Sequence, residues 1–252
     1  MKRIHAAPLV ALLDTLFHQS PGGALATDAD GTLWTGDVGT DLWTTLADDN
    51  ELRAEAISCL TREARAFGLA EAPSGRALLK ELERAFCEGT FPEERFFELV
   101  AWCCVGCSRL EVDAYADRVV SGLHHRLQSE LRPVLSWAEQ HAVDVFVVSA
   151  SPEPLIRAAL RVVGPHAHVI ALRPQWSPEG IMLADVERPI PFGEGKRSLL
   201  RTALGPRPLY AAFGDSAFDL PMLAEATIPV AVRPKAPLRA CAHALPRLVE
   251  LI

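Results

Sequence analysis

The segment Ala24-Leu-Ala-Thr-Asp28-Ala-Asp30-Gly31-Thr32-Leu33 decides how the rest of the chain is interpreted. Small and apolar residues precede two carboxylates, Asp28 and Asp30, which are separated by one residue. A Gly-Thr turn follows them. A strand that ends here brings Asp28 to the carboxyl edge of a sheet, where open α/β folds bind ligands, and places Asp30 on the loop beyond. Two acids at this spacing can act as nucleophile and proton donor. A capped turn between strand and helix uses the same residue types and is the alternative.

The composition is that of a globular protein with a sizeable core. The chain has 252 residues, of which 49% are hydrophobic and 23% charged, enough for one large domain or two smaller ones. A net charge of −7 without any Lys/Arg run argues against nucleic-acid binding. The short apolar run near the N-terminus predicts an amphipathic helix and not a signal peptide, and no stretch is long enough to span a bilayer. We therefore expect a water-soluble protein with no nucleic-acid and no membrane partner.

Six cysteines are distributed unevenly along the chain. A chain of this length needs no disulfide staples, so we expect reduced thiols and a cytoplasmic location. Cys104 and Cys107 form one Cys-x-x-Cys pair, but no second pair or histidine cluster completes a zinc site. We expect both thiols to be buried in helix packing.

The apolar periodicity changes along the chain. From about residue 41 to 127 it is helical throughout, with roughly four helices. From residue 131 onward apolar strands alternate with helices, a hairpin is predicted over 175–186, and the last clear strand is 228–232. This order predicts an α/β fold, a doubly wound, Rossmann-like parallel sheet with an inserted helical cap. The predicted domains are a catalytic core, 1–38 and 128–252, and a helical cap, 39–127.

Ser149 follows the predicted strand 143–148. Ser151, with Pro152 and Glu153 after it, resembles a helix cap with proline at the first helical position. That assignment leaves the Ser149 hydroxyl, beside exposed backbone N–H groups, to bind an anion. A turn serine that bonds its own backbone is the alternative.

A lysine stands in the first turn of a predicted helix, in the segment Gly193-Glu-Gly-Lys196-Arg. Its charge opposes the helix dipole, which becomes favourable if a bound phosphate or carboxylate lies in front of it. A surface lysine is the alternative, since lysines are mostly exposed. The flanking glycines indicate close backbone packing and favour the anion site.

Two more acids follow the predicted strand 209–213. Asp215 stands at the end of this apolar strand, just as Asp28 stands at the end of the first one. We expect Asp215 to be a metal ligand. Asp219 can complete a capping box with Ser216, or it can orient Lys196 or a metal-bound water.

Charge balance in this crevice favours a bound cation. Four acids and one lysine would share it: Asp28, Asp30, Asp215, Asp219 and Lys196. Such a concentration of negative charge requires protonated acids or a cation. A hard divalent ion with oxygen ligands, with Mg²⁺ as the expected ion, removes two charges and can bridge a substrate phosphate.

These segments, in this order, resemble the four motifs of the haloacid dehalogenase superfamily. The motifs are Asp28-x-Asp30-Gly-Thr, a strand-ending Ser149, Lys196, and Gly214-Asp215-x-x-x-Asp219. The helical insertion resembles the caps of the phosphoserine-phosphatase-like branch. The resemblance covers the whole predicted core and implies phosphate chemistry, because the dehalogenases of the superfamily lack the second acid.

The resemblance implies a role for each acid of the motifs. Asp28 would attack phosphorus and become an aspartyl-phosphate. Asp30 would protonate the departing alkoxide and then deprotonate the water that releases phosphate. Mg²⁺ would be held by Asp28, the backbone carbonyl of Asp30 and Asp215.

The resemblance also implies how the phosphate is bound. Ser149 and Lys196 would bind the transferring phosphoryl oxygens, and Gly31 and Ala150 would donate backbone N–H groups. Positioning and charge neutralisation of this kind are what phosphoryl transfer mainly requires.

Departures from phosphoserine phosphatases bear on the substrate. Asp37 stands where those enzymes carry a glutamate that recognises the substrate amine, and it keeps the charge with a shorter reach. Phe218 stands where they carry an asparagine that contacts phosphate. Their substrate-binding arginine matches no single residue of the insertion, where the candidates are Arg53, Arg62, Arg65, Arg76, Arg84 and Arg95.

The expected function is Mg²⁺-dependent hydrolysis of a phosphate monoester of a small metabolite. A phosphotransferase of the same fold, which passes the phosphoryl group to an acceptor other than water, is one alternative. A non-catalytic binder of phosphorylated ligands is another, and the intact acids and lysine of the motifs argue against it.

Overall fold

The computed structural model describes residues 1–49, 51–123 and 126–252. Its centre is a seven-stranded sheet, and a two-stranded antiparallel hairpin lies beside it. In chain order the strands are β1 (Lys2–Ile4), β2 (Ala24–Thr27), β3 (Asp144–Pro152), β4 (His168–Leu172), β5 (Pro174–Trp176), β6 (Met182–Val186), β7 (Leu209–Gly214), β8 (Ile228–Val232) and β9 (Val249–Leu251).

The α-helices cover both faces of the sheet and form the insertion between β2 and β3. They are α1 (Ala6–Gln19), α2 (Val38–Asp49), α3 (Ala54–Ala66), α4 (Gly75–Cys87), α5 (Glu93–Trp102), α6 (Arg109–Val120), α7 (Arg132–Gln140), α8 (Glu153–Val163), α9 (Glu194–Leu204), α10 (Leu220–Ala224) and α11 (Ala236–Cys241). No described helix is long and apolar enough to cross a membrane.

The sheet is parallel throughout, in the order β1-β9-β8-β7-β2-β3-β4. Successive residues of β2 enter different cores, because side chains of a strand alternate between the two faces. Leu25 packs into the larger core, which includes α1 and α7, while Ala26 packs with Leu200 and Leu204 of α9. The predicted doubly wound α/β fold is confirmed.

The strand order places a ligand-binding crevice beside β2. The chain runs from β2 to β3 and β4 on one side, and then crosses to β7 on the other side. Thr27 of β2 therefore pairs with Val147 of β3 and with Phe213 of β7. The carboxyl ends of these three strands meet at one point of the sheet edge, which is where open α/β sheets bind ligands.

Within the described residues the insertion contains five helices, α2 to α6, where the sequence predicts roughly four, and α7 follows them before β3. The first of these helices begins at Val38. The segments that lead into and out of the insertion are hydrogen-bonded to each other. Thr35 N–H donates to the Arg126 carbonyl at 2.8 Å, and Gln128 N–H donates to the Leu33 carbonyl at 3.0 Å.

Short elements account for the remaining differences from prediction. The outer strands β1 and β9 have three residues each and were not predicted, because three residues are too few to show a period. A continuous helix was predicted after β7, but the structure has a 3₁₀ turn at Ala217–Asp219 followed by the short α10. The hairpin β5–β6 was predicted and is confirmed, and Cys104 and Cys107 are buried free thiols as expected.

Candidate active site

A cavity of about 340 Å³ opens where β2, β3 and β7 end, and helices α4 and α5 form its opposite wall. A second cavity, of about 550 Å³, lies between α7 and the start of β3 and contains no residue predicted for the site. The predicted site residues that line the first cavity are Asp28, Asp30, Asp37, Ser149, Ala150, Lys196 and Asp215.

Asp28 is fixed at the end of β2. Its backbone N–H continues the sheet by donating to the Phe213 carbonyl at 2.9 Å. Its side chain is buried and accepts two hydrogen bonds, one at Oδ1 from Lys196 Nζ at 2.6 Å and one at Oδ2 from Thr32 Oγ1 at 3.0 Å. The carboxylate is thus held in one orientation at the cavity floor.

Lys196 reaches the floor from α9. Its Nζ donates to Asp28 Oδ1 and to Asp219 Oδ1, each at 2.6 Å, and its side chain is only 5% exposed. Burial alone would lower the pKa of Lys196, but the carboxylates of Asp219 and Asp28 outweigh that effect, so its pKa is raised and the amine stays charged. The predicted close packing is also present, because a Cβ on Gly195 would lie 1.9 Å from the Ile190 carbonyl oxygen.

Asp219 has both of the roles considered for it. Its Oδ2 accepts from the N–H groups of Asp215 at 3.0 Å and Ser216 at 2.9 Å, and from the Ser216 hydroxyl at 3.0 Å, which forms the capping box. Its Oδ1 holds Lys196. The side chain is fully buried, so it supports the site from behind the cavity wall.

Asp215 faces the cavity from the end of β7, and Lys235 Nζ lies 2.9 Å from its Oδ2. Sequence reasoning missed Lys235. The available signal was its position after β8, the neighbour of β7, which brings its loop to the same sheet edge. Unlike Lys196, Lys235 is largely exposed, with 61% of its side chain open to solvent.

Gly31 does not have the phosphate-binding geometry that the resemblance implied. Its N–H already donates to the Trp34 carbonyl at 2.9 Å. The residue is needed for another reason, because its φ is +83° and a Cβ would lie 2.1 Å from Asp215 Oδ2. Glycine at this position lets the loop pass beside the Asp215 carboxylate.

Asp30 is held by four donors, which lie on the loop beyond β2, at the start of α2 and on β3. Its Oδ1 accepts from the Trp34 indole N–H and the Val38 N–H, both at 2.8 Å. Its Oδ2 accepts from Ser151 Oγ at 2.7 Å and, with a longer contact, from Ser149 Oγ at 3.5 Å. The carboxyl group therefore points into the cavity in a fixed orientation.

The predicted cap role of Ser151 is wrong. Strand β3 continues to Pro152, which is the residue before α8, and Ser151 uses its hydroxyl on Asp30 instead. Ser149 Oγ in turn accepts from the Ser151 N–H at 3.0 Å, which is the backbone-bonded alternative. Ser149 nevertheless lines the cavity, so its hydroxyl also remains next to any bound anion.

Burial and like charge perturb the acids of the cavity. Burial raises the pKa of Asp28 to about 8; Lys196 opposes this shift, while the charges of Asp219 and Asp215 add to it. Burial raises the pKa of Asp30 to about 7, with a further increase from the charge of Asp37. Burial also raises the pKa of Asp215. These shifts are typical of functional carboxylates.

The carboxylates form a group that fits a hard divalent cation. Oxygen atoms of Asp28, Asp215 and Asp219 lie within 4.8 Å of one another. Mg²⁺ prefers such oxygen ligands, and its charge would offset the like-charge repulsion that adds to the effect of burial on the pKa of Asp28. Asp219 is fully buried behind the cavity wall, whereas Asp28 and Asp215 line the cavity and are therefore the side chains placed to hold an ion.

The residues that depart from phosphoserine phosphatases have distinct positions. Asp37 lines the cavity and also caps α2, since its Oδ1 accepts from Thr40 N–H at 2.8 Å. Phe218 packs its ring against Phe192 with the ring centroids 4.3 Å apart. None of the six candidate arginines lines the cavity in the described structure, and five are paired with acids: Arg53 with Glu111, Arg65 with Glu71, Arg76 with Asp48, Arg84 with Glu81 and Glu88, and Arg95 with Glu63 and Glu98.

Comparisons with known proteins concern the family and the fold. The model of the haloacid dehalogenase-like hydrolase family matches residues 25–224, most of the chain. A comparison with curated proteins found no match.

Solved structures share the fold at low sequence identity. A protein of unknown function from Bordetella pertussis Tohama I is 22% identical, with a TM-score of 0.70 over 90% of this chain and 98% of its own. A HAD family hydrolase from Salmonella enterica serovar Typhi is 16% identical, with a TM-score of 0.59 over 96% and 75%. A phosphoserine phosphatase, solved as an analogue of its phospho-aspartyl intermediate, is 15% identical, with a TM-score of 0.58 over 91% and 92%.

Proposed function

The chain belongs to the haloacid dehalogenase-like hydrolase family, and on that premise we propose that it is a Mg²⁺-dependent phosphatase of a small phosphorylated metabolite. One observation carries the proposal. The buried Asp28 carboxylate, held by Lys196 and Thr32, stands beside Asp215 at the floor of a cavity of about 340 Å³. A cavity of this size suits a small molecule.

Asp28 is the proposed nucleophile. Attack of a carboxylate oxygen on phosphorus forms an aspartyl-phosphate as the bond to the leaving alcohol breaks. The charged Lys196 amine, in contact with Asp28, would neutralise charge on the transferring phosphoryl oxygens, as phosphoryl transfer requires. Ser149 and Ala150 line the cavity beside it and are the proposed further phosphate contacts.

Backbone donors of the Asp28 loop complete the proposed phosphate site. Because the Gly31 N–H is already used, the remaining candidates are the N–H groups of Ala29 and Asp30, for which the described residues provide no acceptor. Backbone N–H groups on a tight loop commonly bind phosphate oxygens. This assignment replaces the one that the resemblance implied for Gly31.

Asp30 is the proposed general acid and base. A pKa near 7 allows the same carboxyl group to give a proton to the leaving alkoxide and later to take one from water. Ser151, Trp34 and Val38 hold the group at one position through both steps.

Asp28, the backbone carbonyl of Asp30 and Asp215 are the proposed Mg²⁺ ligands. When bound, the ion supplies positive charge that stabilises the phosphoryl transition state. Asp219 keeps Lys196 in place and is not a proposed ligand. The helices of residues 39–127 are the proposed cap domain, since α4 and α5 form the cavity wall opposite the sheet edge. The six free cysteines support the expected cytoplasmic location.

Chemical trapping tests the proposed intermediate directly. The protein is mixed with ³²P-labelled ester and Mg²⁺, quenched in acid within milliseconds, and treated with borohydride, which reduces an acyl phosphate to homoserine. We expect labelled protein before the reduction and homoserine at position 28 after it. Label at another residue would remove Asp28 as nucleophile.

Product analysis separates hydrolysis from transfer and from binding alone. Free phosphate released in the presence of Mg²⁺ should equal the ester consumed, and EDTA should stop release. A shortfall of phosphate when alcohol acceptors are added would favour a phosphotransferase. Tight ester binding without consumption of any ester would favour a non-catalytic binder.

A further inference from the structure

Phenylalanine rings line the part of the cavity away from Asp28. We call this set the aromatic wall; its members are Phe86, Phe96, Phe97, Phe192 and Phe218. Phe86 and Phe96 stack with centroids 4.1 Å apart and an interplanar angle of 8°. Phe192 links Phe97 of α5, at 5.4 Å, to Phe218 beyond β7, at 4.3 Å. The ring contacts thus cross from the helical insertion to the sheet edge.

Acids stand beside the aromatic wall. Asp37 and Glu93 both line the cavity. Glu93, an exposed residue in the first turn of α5, makes no hydrogen bond or ion pair among the residues that the structure describes; partial burial of its carboxyl group raises the pKa of Glu93, and the charge of Lys235 opposes that shift. Stabilising the first turn of a helix is the simplest role for such a glutamate. Because Glu93 lines the same cavity as the rings, a positive charge on a ligand is a second partner for it.

The positive groups of the cavity are already engaged by acids. Lys196 Nζ lies 2.6 Å from Asp28, and Lys235 Nζ lies 2.9 Å from Asp215. No arginine lines the cavity within the described residues. Asp37 and Glu93 would repel a substrate carboxylate near the aromatic wall, and Lys235, the other cation that lines the cavity, is shared with the Asp215 carboxylate.

We propose that the leaving alcohol of the substrate carries a cationic nitrogen with apolar substituents and no carboxylate. This inference rests on the proposed phosphatase function and specifies its substrate class. Aromatic faces attract ammonium groups electrostatically, and carboxylates at the rim add to that attraction. The phosphate end lies against Lys196, and the ammonium end lies between the aromatic wall and Glu93.

Two matched pairs of esters test the charge preference. Phosphocholine and 3,3-dimethylbutyl phosphate have the same shape and differ only in a quaternary nitrogen in place of carbon. Phosphoethanolamine and O-phosphoserine differ only in a carboxylate. We expect kcat/KM to be about tenfold higher for the first member of each pair. Equal values within both pairs, or faster hydrolysis of the neutral or carboxylated member, would overturn the inference.

A glutamine variant tests whether Glu93 contributes. Glu93→Gln should lower the ratio of kcat/KM for phosphocholine over 3,3-dimethylbutyl phosphate about threefold to fivefold. Glu94→Gln is the matched control, because Glu94 lies in the same first turn of α5 but does not line the cavity. An equal effect of both variants would show that loss of either negative charge at this helix end lowers the ratio, and would contradict a contact between the ligand and Glu93.

Binding measurements keep this inference separate from the proposed function. Calorimetry of the Asp28→Asn variant with phosphocholine and with its neutral isostere gives the preference without turnover. If the unmodified protein hydrolyses no ester, the proposed phosphatase function is wrong. The difference in affinity between phosphocholine and its neutral isostere then still tests the preference for a cationic nitrogen. If p-nitrophenyl phosphate is hydrolysed but neither assay shows a preference, the phosphatase proposal stands and the ammonium class is wrong.

Discussion

The sheet-edge residues of the cavity and the aromatic wall are built differently. At the sheet edge every carboxylate has fixed partners: Asp28 is bonded by Lys196 and Thr32, and Asp30 accepts from four donors. On the opposite side the contacts are between rings, and Glu93 makes no hydrogen bond or ion pair among the described residues. The first arrangement suits a reaction that needs one geometry, and the second suits recognition of a variable alcohol.

The two sides of the cavity also differ in the electrostatic cost of their buried groups. The acids at the sheet edge have raised pKa values because they are buried close together, a cost that a folded protein accepts at a functional site. The aromatic wall is stabilised by contacts between rings and by partial burial of their apolar surface. Substitutions should therefore have large effects on turnover at the sheet edge, and small, substrate-dependent effects at the wall.

The largest effect is expected for Asp28→Asn. An amide cannot attack phosphorus, so turnover should fall at least about 10⁴-fold for every ester. The fold should be retained, because the change removes a buried charge near Asp215 and Asp219. Phosphate release and circular dichroism measure the two outcomes, and normal turnover in the variant would remove Asp28 as nucleophile.

Lys196→Met should follow in size, with Lys235→Met as its matched control. Loss of Lys196 removes the charge that is proposed to face the phosphoryl group, so kcat/KM should fall about 10²- to 10³-fold. The buried acids Asp28 and Asp219 also lose their partner, which should lower the free energy of unfolding by about 3 kcal/mol. Lys235 is mostly exposed, so its loss should lower kcat/KM less than tenfold. Equal losses of activity would contradict the distinction between these lysines.

The pH dependence of the free energy of unfolding, measured without Mg²⁺, should reveal the raised pKa of Asp30. Its pKa is about 7 in the folded protein and has an ordinary value of 3.8, so between these values the folded chain binds more protons than the unfolded chain. Stability attributable to this group is therefore lost as pH rises from about 4 to about 7. In EDTA, Asp30→Asn should lose less stability between pH 5 and pH 8 than the unmodified protein. Urea unfolding measures this, with exposed Asp113→Asn as control, and identical pH slopes in all three proteins would contradict the prediction.

The smallest effect is expected at the aromatic wall. Phe97→Leu keeps an apolar side chain but removes a ring, so the kcat/KM ratio for phosphocholine over its neutral isostere should fall about threefold. Phe17→Leu is the control, because that ring packs against Trp137 away from the cavity. A fall in kcat/KM of more than about 10²-fold for both esters would show that the aromatic wall positions the reacting groups. That result would contradict the proposed difference between the wall and the sheet edge.

The sequence predicted the strands that carry the site more reliably than the contacts within it. The runs ending at Asp28 and Asp215 are local patterns, and the structure places both at adjacent strand ends. Ser151 was assigned to a helix cap because Pro152 and Glu153 follow it, yet β3 continues through it and its hydroxyl reaches Asp30. Those two residues are 121 positions apart, so no local pattern could report the contact.

The fold class, the order of the motifs and the family could be predicted from the sequence, because apolar periodicity and strand-end acids are properties of neighbouring residues. Three features required the folded chain: Gly31 makes room for Asp215, Lys235 contacts the same carboxylate, and a particular set of rings lines the cavity. Each of these depends on distant segments that meet when the sheet and the insertion pack together. Packing fixes such contacts to within ångströms, whereas residue patterns along the chain specify only the elements that pack.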